Sequence, residues 1–208
     1  TKGFMDVLTA QFGEENIEFI VQNAAGDSNT LNTIINDFVA KEVDLILANS
    51  TPVLQTAAAA TTTIPILGTS VTEYSVALDL DDFNGTVGRN ISGTSDLAPL
   101  TEQADMILEW FPEAKNVGLL YCAAEPNSLY QVKTVKAYLE GKGLTCIEYS
   151  FSSSSDLSAV TEDAASNSDV IYVPTDNTVA NSTGMVDAIC RAKKVPVIAG
   201  EEGICSGC

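Results

Sequence analysis

Residues 43–70 read VDLILANSTPVLQTAAAATTTIPILGTS. The first seven, VDLILAN (43–49), are almost continuously apolar, as in a strand covered on both faces of its sheet. A polar end, Asn49-Ser50-Thr51, meets Pro52, which suits the first turn of a helix. IPILG (64–68) then returns as a second strand. Strand, helix and strand at this spacing give a parallel pair joined by a right-handed crossover.

The same rhythm extends both ways. Upstream, Phe4, Val7, Leu8 and Phe12 share one helical face over 4–12, and Gly13 stops that helix. IEFIVQN (17–23) is predicted as a strand. Asp27 or Ser28 caps a helix whose inner face is Leu31, Ile34, Ile35, Phe38 and Val39. Downstream, residues 72–92 break the alternation with a weak strand (74–80) and the polar stretch DLDDFNGTVGRN. Helices are then predicted over 97–111, 127–141, 156–166 and 178–193. Strands are predicted at NVGLLYC (116–122), LTCIEYSF (144–151), VIYV (170–173) and VPVIAG (195–200). The fold class is therefore α/β, with two Rossmann-like lobes built on parallel sheets. The first lobe is expected over 1–92 and the second over 97–199, with crossovers at 93–96 and 200–203.

Bulk properties narrow the function. The 208 residues carry a net charge of −18, and 45% are hydrophobic. Such acidity disfavours nucleic acid and anionic membrane surfaces, both of which call for clustered Lys and Arg. No apolar run approaches the ~20 residues of a membrane-spanning helix, and no signal peptide is visible before the first helix. The chain has no histidine, which removes Ser–His and Cys–His nucleophiles and the common His metal sites. No cofactor and no metal are expected. Cys122 and Cys146 lie in apolar strand patterns and read as small core residues. Cys205 and Cys208 form a C-x-x-C that lacks a second ligand pair, and they read as thiols in a polar terminal turn.

In open α/β sheets, ligands bind beyond the carboxyl ends of the strands. Asn49, Ser50, Thr51, Thr69 and Ser70 stand there in the first lobe. Thr94, Ser95 and Asp96 stand at the crossover. Glu125, Asn127, Ser128, Thr175, Asp176, Asn177, Glu201 and Glu202 stand there in the second. Ser50-Thr51 and Asn127-Ser128 open helices, whose free N–H groups favour a carboxylate. Asp96, Asp176, Glu201 and Glu202 suit an ammonium group. A cleft with donors on one wall and carboxylates on the other fits a small zwitterion. Residue by residue a plainer duty competes: Ser50, Thr51, Asn127, Ser128, Asp96 and Asp176-Asn177 all stand where helix caps stand. Glu201 and Glu202 have no structural duty legible in the sequence.

These strand ends, with NISGTSDLAPLTEQ, NVGLLYCAAEPNSLYQV, DVIYVPTDNTV and VPVIAGEEG, resemble the ABC-transporter substrate-binding proteins of the tryptophan/tyrosine uptake type. That family is a branch of the type I periplasmic-binding-protein fold, and the resemblance runs along nearly the whole chain. It implies an extracytoplasmic solute-binding protein, lipid-anchored in Gram-positive cells or periplasmic in Gram-negative cells. The protein would be a monomer that binds an amino acid, aromatic by resemblance, closes about a hinge and delivers the ligand to an ABC permease. Carried over by position, Ser50, Thr51 and Ser70 would hold the carboxylate. Asp176, Glu202 and Asp96 would hold the ammonium, and Glu125, Asn127 and Ser128 would line the second lobe. Members of the family begin with a strand before the helix at 4–12 and continue past GEEG, so both ends are expected to be incomplete. A regulator's sensor domain shares the fold but would need a helix-turn-helix segment, and none is visible before Thr1. An enzyme working through Asp176 and Glu202 is the third class. The absence of histidine and of phosphate-binding glycine motifs speaks against it.

Overall fold

A computed structural model describes residues 1–207. They divide into two compact units, residues 1–71 with 82–95, and residues 72–81 with 96–207.

The first unit holds a three-stranded parallel sheet in the order β1 (Ile46–Asn49), β2 (Ile66–Val71), β3 (Ile91–Ser95). Ile46, Ala48 and Ile66 are buried in it. Helix α3 (Thr51–Ala60), with Pro52 in its first turn, makes the β1–β2 crossover and buries Leu54 and Ala57. α2 (Ser28–Ala40) starts at Asp27, whose carboxylate accepts from the Thr30 amide at 2.7 Å. Of its expected inner face only Ile35 is fully buried. β3 was not legible in the sequence. Only Ile91 of its five residues is buried, and pairing with β2 supplies what hydrophobicity does not.

Two expectations fail here. α1 (Lys2–Phe12) forms, but no residue of it is buried, and Phe12 is 58% exposed. Ile17 is extended, but residues 17–23 form no regular element and pair with no strand among the described residues. A strand is defined by its neighbour: an apolar alternation without a partner ladder is not a strand.

The second unit holds a four-stranded parallel sheet in the order β5 (Thr145–Phe151), β4 (Asn116–Cys122), β6 (Val170–Val173), β7 (Val197–Ala199). α5 (Leu100–Trp110) and α6 (Pro126–Gly141) cover one face, with Ile107, Val132 and Leu139 buried against Val117, Leu119 and Tyr172. α7 (Ser154–Asn167) and α9 (Thr183–Lys193) cover the other, burying Leu157 and Val186 against Leu120, Ile171 and Val173. Cys122 and Cys146 lie in these cores, as their apolar surroundings suggested.

Three further details differ from expectation. The weak strand at 74–80 is a short helix, α4 (Tyr74–Ala77), capped by Glu73, and it packs on α6. Residues 72–81 thus group with the second unit, not with 1–92. The single helix at 178–193 is two, α8 (Asn177–Ala180) and α9, because Ser182 leaves helical geometry. The expected terminal turn contains a helix, α10 (Glu202–Gly207), with Cys205 exposed on it. Cys208 lies outside the described residues.

Candidate functional site

In the first unit the parallel register sets Asn49 beside Thr69, and the Ser50 amide donates to the Thr69 carbonyl at 3.0 Å. The ends of β1 and β2 therefore present adjacent polar residues. Ser50 has φ 101° and ψ 158°, a region that residues other than glycine avoid because Cβ meets the backbone. Ser70 also has a positive φ, 53°, at a register shift in the β2–β3 pairing. Ser50 stands at the N-cap of α3, yet its side chain makes no capping hydrogen bond. The α3 N-terminus thus keeps donors that a cap would otherwise occupy. Thr51 is buried, Ser70 is exposed, and the Asn49 side-chain Nδ2 donates to the Thr1 hydroxyl at 3.3 Å.

In the second unit the polar residues after β4 and β6 form one buried network. The Glu125 carboxylate accepts from the Asn177 amide at 3.0 Å and its side chain at 2.7 Å. It also accepts from the Thr178 amide at 2.9 Å and the Thr178 hydroxyl at 2.8 Å. Asp176 is 1% exposed. Its carboxylate accepts from the Cys122 amide at 2.7 Å, the Ser128 hydroxyl at 2.8 Å and the Val179 amide at 2.9 Å. Burial, and then the charge of Glu125, push the Asp176 carboxyl above its usual range. Burial likewise raises the Cys122 thiol.

Asp176 is therefore a helix cap and a tie between the β4 and β6 turns, with its oxygens taken up by protein donors. Ser128 belongs to the same tie. Asn127 donates to the Thr175 carbonyl at 3.0 Å, and its Oδ1 is buried with no hydrogen-bond partner among the described residues. A buried acceptor left open costs about 1–3 kcal/mol, so this atom is suited to a donor from outside the protein.

The pair after β7 separates into two roles. Glu201, expected to have no structural duty, caps α10: its carboxylate accepts from the amides of Gly203 at 2.8 Å and Ile204. Glu202 is exposed in the first turn of α10, and Asp96 is exposed just before α5. The sequence reading missed Gln131, fully buried on α6, and Gln103 on α5. The one available signal was an amide-bearing residue within each helix's apolar stripe, beside Val132 and Val135 or next to Ala104.

The family model described as ABC transporter substrate binding protein matches residues 1–208. A tyrosine-binding protein of Clostridioides difficile (strain R20291) is 35% identical over 204 residues, which cover 97% of this chain and 59% of that protein. The chain thus spans less than two thirds of that relative's length. A Streptococcus structure described as an ABC domain in complex with L-Trp is 30% identical, with a TM-score of 0.90. The alignment covers 98% of this chain and 69% of that one. A conserved domain protein from Vibrio cholerae is also 30% identical, with a TM-score of 0.92 over 99% of this chain and 70% of its own.

Proposed function

The chain belongs to the ABC transporter substrate binding protein family, with a type I periplasmic-binding-protein fold, and on that premise we propose that it binds a free aromatic amino acid. The observation that carries the proposal is Ser50. It is held in a backbone conformation foreign to its residue type, at the head of a ten-residue helix it does not cap. Strain of this kind costs about 1–3 kcal/mol and persists where the surrounding structure enforces it, commonly at ligand sites.

The ligand carboxylate is read at Ser50, Thr51 and Ser70, with Asn49 and Thr69 beside them. There the N-terminus of α3 offers N–H donors and a favourable dipole. For the ammonium, the open carboxylates Glu202 and Asp96 and the unpartnered Oδ1 of Asn127 are the suitable groups. Thr175, Asn177 and Glu201 belong to the same crest. Asp176, Glu125 and Ser128 serve through the loops they tie. The aromatic preference draws on the two relatives, one a tyrosine-binding protein and one solved with L-Trp.

The protein performs no chemistry on the ligand in this reading. It works outside the cytoplasm, as a lipoprotein or a periplasmic protein, and hands the amino acid to a membrane permease. Calorimetric titration of the purified protein with L-tryptophan, L-tyrosine, L-phenylalanine and L-leucine tests the proposal. Aromatic ligands are expected to bind at least about tenfold more tightly than leucine. Heat of binding from none of the four would sink it.

A further inference from the structure

Thr175 and Gly200 follow β6 and β7, and neither is held by a regular ladder alone. Gln131 lies across Thr175 like a strand partner. Its Oε1 accepts from the Thr175 amide at 3.1 Å, and its Nε2 donates to the Thr175 carbonyl at 3.2 Å and to the Asn127 carbonyl at 3.0 Å. Gln131 is completely buried, so its side-chain amide depends on these protein partners for its hydrogen bonds. From α5, on the same face of the sheet, Gln103 Nε2 donates to the Gly200 carbonyl at 2.9 Å. Its Oε1 accepts from the Tyr172 hydroxyl at 2.7 Å.

The two turns meet backbone to backbone. The Gly200 amide donates to the Val173 carbonyl at 2.7 Å. A Cβ on Gly200 would lie 2.9 Å from the Pro174 carbonyl carbon and 3.0 Å from the Thr175 nitrogen. A side chain there would push the turns apart. The contacts form a continuous chain: Tyr172, Gln103, Gly200, Pro174-Thr175, Gln131. Main-chain groups at a strand end need partners when buried. Here two side-chain amides supply them: Gln131 matches the Thr175 N–H and carbonyl with one acceptor and one donor, and Gln103 gives its donor to the Gly200 carbonyl and its acceptor to the Tyr172 hydroxyl.

We propose that Gln131 and Gln103 are positioning residues for the ligand. Through Thr175 and Gly200 they fix the two turns that carry Asp176-Asn177 and Glu201-Glu202. The proposal rests on the amino-acid-binding reading above, and it adds two residues that act through the turns rather than by touching the ligand. Preorganisation of this kind raises affinity by removing an ordering cost at binding. Loosening the clamp would therefore weaken binding without unfolding the unit.

The test uses the purified protein as wild type and Gln131→Met, which keeps volume but loses all three bonds. Two quantities are measured at a temperature where circular dichroism shows both proteins folded. The first is amide exchange at Thr175 and Asn177, with Tyr149 in β5 as the internal reference. The second is the Kd for L-tyrosine. Protection at Thr175 is expected to fall at least about tenfold with Tyr149 unchanged, and Kd to rise at least about tenfold. A residue serving only global stability would lower protection everywhere and leave Kd intact in the folded variant, and that result overturns the proposal. Unchanged protection at Thr175 also overturns it. If wild type binds no amino acid, the functional reading fails and, with it, the positioning of a ligand. The exchange data then show separately whether the clamp exists. Should Gln131→Met not fold, Gln103→Met, read at Gly200 and Gly203 with the same Kd, decides between the same outcomes.

Discussion

At the scale of single residues, the proposed site rests on residues held in unusual states. Ser50→Gly is expected to stabilise the fold by about 1 kcal/mol, since release of roughly 1–3 kcal/mol of backbone strain outweighs glycine's larger unfolded-state entropy. It also removes the hydroxyl, and amino-acid binding should weaken by about tenfold or more. Urea denaturation alongside calorimetry checks both, and a variant less stable than wild type contradicts the strain reading. Asp176 carries a pH signature. Its folded carboxyl titrates above the ordinary 3.8 because of burial and the charge of Glu125. The native state therefore holds that proton more tightly than the unfolded chain. Its contribution to stability is present below 3.8 and is lost as pH rises through the raised folded value. Asp176→Asn cannot ionise, so the stability difference between wild type and variant should move in the variant's favour across that window. Urea midpoints from below pH 3.8 to neutrality measure it, and a constant difference is the contrary result. The polarity of these positions was legible in the sequence, because small polar residues crowd the strand ends. Their division of labour was not. Whether Asp176 faces outward or ties Cys122, Ser128 and Val179 together depends on loop geometry that one-dimensional spacing does not carry. The same holds for Glu201, whose capping role required α10 to be seen.

At the scale of elements, legibility followed burial. β4, β6 and α6 announced themselves as apolar runs or as a 3.6-residue period, and the structure places them within a residue or so of the expected bounds. β3 escaped because its residues after Ile91 are exposed and polar, so only its ladder with β2 defines it. Segment 17–23 failed in the opposite sense. Ile17, Phe19 and Val21 alternate as a strand should, yet Val21 is 61% exposed and no ladder forms. Amides without partners exchange at nearly the unprotected rate, whereas those of a central strand require sub-global opening. Residues 17–23 of the purified protein are therefore expected to exchange within seconds to minutes, and those of β4 orders of magnitude more slowly. Slow exchange across 17–23 would contradict their unpaired state and point to a strand partner in solution.

At the scale of the whole molecule, the two units differ in how their interiors are made. Both large apolar clusters, one centred on Leu119 and Tyr172 and the other on Leu120 and Ile171, belong to the second unit. The first relies on a smaller set that includes Ile35, Leu54 and Ile66. Both raise the same kind of crest: parallel strands ending in polar residues, with helices starting beside them. The alternation of strands and helices made that architecture readable from the sequence, and the polar crests are what the proposed ligand site rests on. In the proposed reading, donors at the head of α3 take the carboxylate of the ligand, and the open carboxylates Glu202 and Asp96 take its ammonium. Capping either charge of an amino acid tests this most directly. The purified protein is titrated calorimetrically with L-tyrosine, N-acetyl-L-tyrosine and L-tyrosine amide. Loss of one partner of a desolvated charge pair costs about 2–5 kcal/mol. The free amino acid is therefore expected to bind, and each capped form at least about thirtyfold more weakly. Equal affinity for all three, or heat from none, would contradict a site built for a zwitterion.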